Sequence, residues 1–350
     1  VLAGGSGTRL RPITYTSAKQ LVPLANKPIL FFGLESIAAT GIREVGLVVG
    51  DTHEAIHEAV GDGSRFGLHV TYLRQPAPLG IAHGVLIARD FLGDDPFVLY
   101  LGDNLIVGGI EPFVAAFEAD RPNALVLLAA VDHPEQFGVA ELGPDGALVR
   151  LVEKPADPPS NLALVGVYLF DRTVHEAVRS IEPSGRGELE ITDAIQWLIG
   201  HGLDVRAEQL TTQFIDTGKL QDLLEANRIV LESIEGDVAG SVDAESQLVG
   251  PVVVAPGARI VRSTVRGPAV IGPGAHVESS FVGPFTSLGA WCEVRHSEIE
   301  HSVVLEGARI EGVRRIADSL LGRGAVVHRT GAEPRAYRLH VGDHSEVEVV

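Results

Sequence analysis

Four segments in the last third of the chain begin seventeen residues apart: VVAPGARI from Val253, VIGPGAHV from Val270, SLGAWCEV from Ser287 and VLEGARI from Val304. A repeat of this length constrains the fold more than any other feature. Each unit is too short to bury an apolar face alone and must stack on its neighbours. Within each period apolar residues recur every five or six positions, at Val254, Ile260, Val265, Ile271, Val277, Val282, Leu288, Val294, Ile299, Leu305, Ile310 and Ile316. A half-buried strand alternates with a period of about two and a helix with about 3.6, and neither matches. The spacing predicts a triangular coil of three short strands per turn, one apolar side chain pointing inward from each side. The small residues Ala258, Ala275 and Cys292 would fill its corners.

Before residue 236 the pattern is different. Val/Leu-rich runs at 45–49, 69–73, 97–101 and 124–129 read as strands, and segments 29–39, 54–60, 81–91 and 111–118 between them have helical spacing. Further on, 171–180 and 190–200 read as helices, 203–208 as a strand and 219–235 as a long helix. Apolar strands separated by helices imply a mostly parallel sheet covered on both faces. The expected organisation is a Rossmann-like α/β domain over residues 1–235, followed by the coiled repeat over 236–350. Ligands of such sheets gather beyond the C-terminal ends of the strands. Two turns fall there: the opening VLAGGSGTRLRP and Leu101-Gly102-Asp103-Asn104.

The chain carries 46 acidic against 28 basic residues, a formal charge of -18. That balance argues against general nucleic-acid or anionic-membrane binding, which needs clustered Lys and Arg. Any phosphate chemistry must therefore use a few local cations. A single cysteine, Cys292, excludes an intrachain disulfide and points to a reducing, cytoplasmic setting. The longest apolar run, 124–131, is far too short to span a bilayer, and no secretory leader is visible.

The opening run places Gly4, Gly5 and Gly7 directly after a short apolar strand, with Thr8 and Arg9 next and Lys19 ten residues beyond the arginine. Bare backbone N-H groups beside a guanidinium and an ammonium suit a polyphosphate. A dinucleotide fingerprint would need a third glycine and an acidic residue about twenty positions on. Here Leu10 takes the glycine position, Pro12 follows, and no acidic residue appears before Glu35. A nicotinamide enzyme is therefore not expected. His53-Glu54-Ala55-Ile56-His57 is a literal zinc-protease pattern. It opens a crossover helix without an evident third ligand, so zinc hydrolysis is set aside. His276, His296 and His301 in the repeat raise acyl transfer, but no long inserted loop accompanies them, and a structural role in homo-oligomer assembly is the expected one.

GGSGTRLRP, AKQLVP, NKP, QPAPLGIAHG, LGDN, PEQFGVAEL, VEKP, GRGELEITDA and FIDTG, in this order over about 220 residues, resemble the signatures of sugar-1-phosphate nucleotidylyltransferases. The repeat resembles the hexapeptide-repeat, left-handed parallel β-helix that ends the long form of that family. The resemblance implies attack of a sugar-1-phosphate oxygen on the α-phosphorus of a nucleoside triphosphate. Such chemistry needs positioning and charge neutralisation rather than a protein nucleophile. The absence of a Ser/His/Asp signature agrees with that.

By the same resemblance, the amides of Gly4, Gly5, Gly7 and Thr8 with the Arg9 side chain hold the triphosphate, and Lys19 lies near the α-phosphate and the leaving pyrophosphate. Asp103 and Asp216 hold Mg²⁺. For Asp103 alone a turn-forming aspartate is the plainer reading, and its pairing with Asp216 in a second motif favours the metal. Gln75 and the backbone of Gly80 read the base. A glutamine amide can pair thymine, uracil or adenine. Gly138, Glu153 and Val165 contact the sugar, while Lys154 and Arg186 take its phosphate. Expected substrates are dTTP, with UTP as the alternative, and glucose 1-phosphate. A non-catalytic nucleotide-sugar sensor is the rival of a different class. The chain departs from the family pattern at Ala25-Asn26, Leu79 and Phe214-Ile215, positions that bear on specificity and carry no charge.

Overall fold

The computed structural model describes residues 1–5, 10, 11, 13 and 18–329. These form two compact units: Ile29–Asp216 with residues 1–5 and 18–21, and Val22–Pro28 with residues 217–329. In chain order the elements begin with an antiparallel pair, β1 (Pro23–Leu24) and β2 (Lys27–Pro28), then α1 (Ile29–Ala39), β3 (Glu44–Val49), α2 (His53–Val60) and β4 (His69–Arg74). Next come α3 (Ile81–Ile87), α4 (Arg89–Leu92), β5 (Phe97–Tyr100), β6 (Asn104–Ile106), α5 (Glu111–Asp120) and β7 (Ala124–Ala130). The series continues with β8 (Gly138–Leu142), β9 (Leu148–Glu153), β10 (Leu162–Phe170), α6 (Val174–Ser180) and α7 (Ile191–Gly200). β11 (Val205–Gln209), β12 (Phe214–Asp216) and α8 (Leu220–Glu232) complete it.

The first unit is built on a twisted, mixed sheet. β3 and β4 pair in parallel, and Leu2 bridges Val48 on one side and Leu101 on the other, both in parallel. β5 and β7 both pair antiparallel with β10, and β11 lies parallel to β7. β10 thus runs against β5, β7 and β11, which share one direction. The β8–β9 hairpin joins through Val139 opposite Ala163.

Continuous apolar runs explain why the sheet is covered twice. Along β7, Leu125, Leu127 and Ala129 pack into one core while Ala124, Val126 and Leu128 pack into another. β10 divides the same way, with Val165, Val167 and Leu169 on the first face and Leu164, Tyr168 and Phe170 on the second. Fully burying side chains of this size stabilises the fold by about 1.5–3 kcal/mol each. The expected helix over 81–91 is divided at Ala88 (φ -79°, ψ -1°), which caps the end of α3 and the start of α4.

The second unit stacks short strands into three parallel sheets. One of six strands runs from Asp237–Val238 to Leu320–Leu321, another of six from Ser241–Val242 to Val326–His328, and one of four from Gln247–Val249 to Glu298–Ile299. This is a parallel β-helix. Ten of the predicted inward residues, from Val254 to Ile310, are at most 1% exposed, as are the corner residues Ala258, Ala275 and Cys292.

One expectation needs correction. The constant seventeen-residue step does not hold throughout: among the aligned segments Ile271 faces Leu288, but Leu288 faces Val304 and Val294 faces Ile310, a step of sixteen, and the first coil pairs Val238 with Val254 and Val242 with Ile260, steps of sixteen and eighteen. The inward residue is accordingly Val304, not Leu305, and Val304 is the one found in the solenoid core. The cause is a shorter corner. Earlier coils turn through Gly250-Pro251, Gly267-Pro268 and Gly283-Pro284, whereas the corner after Ile299 is Glu300-His301-Ser302, with no Gly-Pro and one residue fewer.

Helix α8 packs within this second unit. Asn227, 1% exposed, accepts from the backbone N-H of Ala25 and the hydroxyl of Ser287, both at 2.8 Å, and donates to the carbonyl of Phe285 at 3.2 Å. A buried amide satisfied three times fixes the helix more specifically than its apolar face could.

Candidate functional site

The site lies at the C-terminal ends of the first unit's strands. The opening segment enters between β3 and β5, with Leu2 N-H donating to the Tyr100 carbonyl and Ala3 N-H to the Val48 carbonyl, both at 2.8 Å. Gly4 and Gly5 therefore emerge at the sheet's edge. A Cβ on Gly4 would lie 3.2 Å from Gln75 Oε1, so the start of the glycine loop and the expected base-reading residue are neighbours. Gly7, Thr8 and Arg9 lie outside the described residues.

Gln75 follows β4 and donates through Nε2 to the Gly80 carbonyl at 3.2 Å, with His83 Nδ1 at 3.1 Å. Gly80 has φ +103°, and a Cβ there would meet the Leu189 carbonyl oxygen at 2.3 Å. Only glycine allows that approach. Around it, Leu189 donates to Leu79 at 2.8 Å and Ala82 to Leu189 at 3.1 Å. The loop before α3 is thereby tied to the loop that carries Arg186.

Asp103 and Asp216 are brought together by a two-stranded pairing, β6 with β12, in which Asn104 stands opposite Asp216. Asn104 is 3% exposed; it donates through Nδ2 to Asp103 Oδ1 at 2.9 Å and accepts at Oδ1 from Gly166 N-H at 3.1 Å. The Lys19 ammonium donates to Asp103 Oδ2 at 2.5 Å and lies 3.5 Å from Asp216 Oδ1. Burial favours the neutral amine of Lys19, but the fields of Asp103 and Asp216 with their hydrogen bonds outweigh it and raise its pKa. Two carboxylates converging on one cation form a hard-oxygen pocket of the kind that suits magnesium, with phosphate oxygens and water to complete its shell.

Across the cleft, Thr192 Oγ1 donates to Glu153 Oε2 at 2.6 Å, and Arg186 Nη2 donates to Glu153 Oε1 at 2.9 Å. Lys154 Nζ is 3.4 Å from the same Oε1. Arg186 Nη2 also donates to Glu190 Oε1 at 2.7 Å, and Ser184 Oγ donates there at the same distance. Burial opposes the Arg186 charge, and Glu190, Glu153 and Glu188 more than offset it. A Cβ on Gly138 would come within 2.9 Å of Thr192 Oγ1 and 3.3 Å of Glu153 Oε2, so the small residue opens the space beside that carboxylate.

One cleft is lined by Asp103, Gly138, Glu153, Lys154, Glu190, Thr192 and Asp216. Val165 is different: its side chain is fully buried in the first core, and its neighbours Leu164 and Gly166 line the cleft instead. Any contact of Val165 with a sugar would come through its backbone. Sequence reasoning missed Glu190 and Thr192, although both stand in GRGELEITDA. Acidic and hydroxyl residues at the start of a helix read as ordinary capping groups.

The two histidines of the zinc-like pattern lie on α2 beside Tyr72, whose ring is 4.7 Å from that of His57. Among the described residues no group of three or more His, Cys, Asp or Glu is placed to hold a metal. Nor is any helix among them long and apolar enough to cross a membrane.

Paired carboxylates beside several cations, at the strand ends of an α/β sheet, fit the class of nucleotidyl-transfer proteins. The family model described as nucleotidyl transferase matches residues 1–233, and the chain belongs to that family. Within it, the chain is 58% identical over 349 residues to the glucose-1-phosphate thymidylyltransferase of Streptomyces griseus, covering 100% of this chain and 98% of that protein. The protein of the same name from Streptomyces antibioticus is 56% identical over 350 residues, with the same coverage. Among solved structures, a Bacillus anthracis protein assigned as a glucose-1-phosphate thymidylyltransferase, crystallised with sucrose, superposes with a TM-score of 0.63 at 34% identity. That match covers 67% of this chain and 96% of the other.

Proposed function

We propose that this protein transfers a thymidylyl group from dTTP to glucose 1-phosphate, giving dTDP-glucose and pyrophosphate. The observation that carries the reading is one cleft lined by the Asp103/Asp216 pair, which Lys19 contacts, and by Glu153 and Lys154, where Arg186 contacts Glu153. The first suits a triphosphate with its metal and the second a sugar phosphate. Full-length similarity to two proteins of that name supports the choice of substrates.

In this reading Gly4, Gly5, Gly7, Thr8 and Arg9 cradle the triphosphate, and Gln75 with the Gly80 backbone meets the base. Lys154 and Arg186 hold the sugar phosphate, with Glu153 and the backbone at Gly138 and Val165 against the sugar. A phosphate monoester has a second pKa of about 6 and is mostly dianionic at neutral pH, so the attacking oxygen needs no base. That oxygen forms a bond to the α-phosphorus as the bond to the bridging oxygen breaks, and pyrophosphate leaves with the electron pair. Lys19 neutralises charge gathering on the α-phosphate and the departing group. Asp103 and Asp216 would hold Mg²⁺, which when bound supplies further charge neutralisation and orientation of the phosphates.

We take the functional division to be a catalytic module over 1–235 and a β-helix over 236–350; the family match ends at 233, although α8 packs in the second unit. A cytoplasmic homo-oligomer is the proposed working form. Exposed Trp291 and Val326, 65% and 62% accessible on the solenoid, support a role for that unit in assembly. Light scattering at micromolar protein tests it, a monodisperse monomer being the contrary result.

A pyrophosphate-release assay crossing dTTP, UTP, GTP, ATP and CTP with several hexose 1-phosphates tests the reaction. Fastest release with dTTP and glucose 1-phosphate is expected. Faster turnover with UTP or another sugar would reassign the substrates, and no release with any pair would refute the enzyme reading.

A further inference from the structure

We propose that Lys19 is a built-in counter-ion for the carboxylate pair, so that the protein alone holds divalent metal weakly and takes it up together with a triphosphate that draws the ammonium away. This rests on reading Asp103 and Asp216 as the metal carboxylates.

Each aspartate also has a support of its own besides Lys19. Asp103 is fixed through Asn104, whose amide reaches Asp103 Oδ1 and whose carbonyl accepts from the buried Tyr100 hydroxyl at 3.2 Å. Asp216 is fixed by strand register opposite the same Asn104. Lys19 comes from a separate 3-10 turn, Lys19–Leu21, in which Leu21 N-H donates to the Ala18 carbonyl at 2.9 Å, and its side chain is 11% exposed. The aspartates are thus held by strands β6 and β12, whereas the ammonium reaches them from a separate turn on four methylenes.

Occupancy by the ammonium and by a metal excludes one another. Magnesium binds oxygen at about 2.0–2.1 Å and tolerates little distortion. Lys19 Nζ already stands 2.5 Å from Asp103 Oδ2 and 3.5 Å from Asp216 Oδ1, in the space beside the two carboxylates that would hold a cation. Anionic phosphate oxygens arriving beside the pocket give the ammonium new partners and give the metal its remaining ligands. By linkage, metal and triphosphate must each strengthen the other's binding.

Direct titration of Mn²⁺ against the full, nucleotide-free chain, followed by the electron paramagnetic resonance signal of free Mn²⁺, tests this. Weak binding is expected for the unmodified protein, binding at least about tenfold tighter for Lys19→Met, and loss of that gain in Lys19→Met/Asp103→Asn. Lys19→Gln, which keeps a polar head group, serves where the methionine variant does not fold by circular dichroism. Folded Lys19 variants that bind Mn²⁺ no more tightly than the unmodified chain would overturn the proposal. A gain that survives Asp103→Asn would overturn it together with the metal assignment. No substrate is present in the titration, so an error in the nucleotide or sugar would leave its outcome unchanged and would appear only in the pyrophosphate assay.

Discussion

Glu190 offers a sharp test of the proposal that the Glu153–Lys154–Arg186 side of the cleft takes the sugar phosphate. Its carboxylate is 4% exposed and accepts from Ser184 Oγ and Arg186 Nη2, both at 2.7 Å. The Arg186 contacts to Glu153 and Glu190 both use Nη2, and neither uses Nη1 or Nε, the donors a phosphate would take. Glu190 therefore acts as a positioning residue that sets the guanidinium before substrate arrives. In Glu190→Gln the amide keeps the shape but not the charge, and Arg186 must be ordered during binding. Immobilising a long side chain costs about 0.5–1.5 kcal/mol. A charge-assisted hydrogen bond contributes about 1.5–3 kcal/mol when buried, and less here because the Arg186 side chain is 40% exposed. Both routes lead to roughly 1–1.5 kcal/mol, about a five- to tenfold rise in KM for glucose 1-phosphate. Steady-state kinetics with each substrate varied in turn should give that rise with the KM for dTTP within twofold of the unmodified protein. An unchanged sugar-phosphate KM, or an equal rise for both substrates, would refute the positioning argument.

Three further outcomes follow from the same geometry. Gly80→Ala forces a Cβ against the Leu189 carbonyl at a φ of +103°, and should cost about 2 kcal/mol or more in denaturant unfolding while lowering kcat/KM for the nucleotide; an unaltered midpoint would show that the loop relaxes freely. The Cys292 thiol is fully buried and pushed up by that burial to about 11, so a chromogenic disulfide should leave it unreacted at pH 8 in native protein and titrate one thiol per chain after unfolding. His175 is buried against Phe97, and burial, then Arg89 and Arg179, hold its pKa below the ordinary 6.5 against the opposing pull of Asp94. The unfolded chain therefore binds more protons below pH 6.5, and stability should fall as pH drops from 7 towards 5, less steeply in His175→Gln; equal slopes in paired urea titrations would exclude His175 as the source.

How much could be read in advance varies with the range of the interactions involved. The solenoid was legible because stacking repeats one local rule, an apolar residue on each side of the triangle. Even there a missing residue after Ile299 escaped notice, since shifting the inward position from Leu305 to Val304 leaves an apolar residue at either place. The strands at 45–49, 69–73, 97–101 and 124–129 are legible as apolar runs, but the place of β10 among them is not. Its reversed direction depends on pairing with β5 and β7, which local composition does not encode. In the site, Asp103, Asp216, Glu153 and Lys154 came from motif resemblance, whereas Glu190 and Thr192 became visible only from their partners.

The amino-acid sequence by itself determined the two kinds of architecture, the family, and the inventory of cations and carboxylates, because periodicity and motif spacing are local properties of the chain. Tertiary structure alone decided which charges meet. Lys19 and Asp103 are 84 positions apart and Asp216 is farther still, yet strand register at Asn104 places both carboxylates around one ammonium. Electrostatic energy depends on separation in space rather than along the chain. That juxtaposition therefore belongs to the folded molecule.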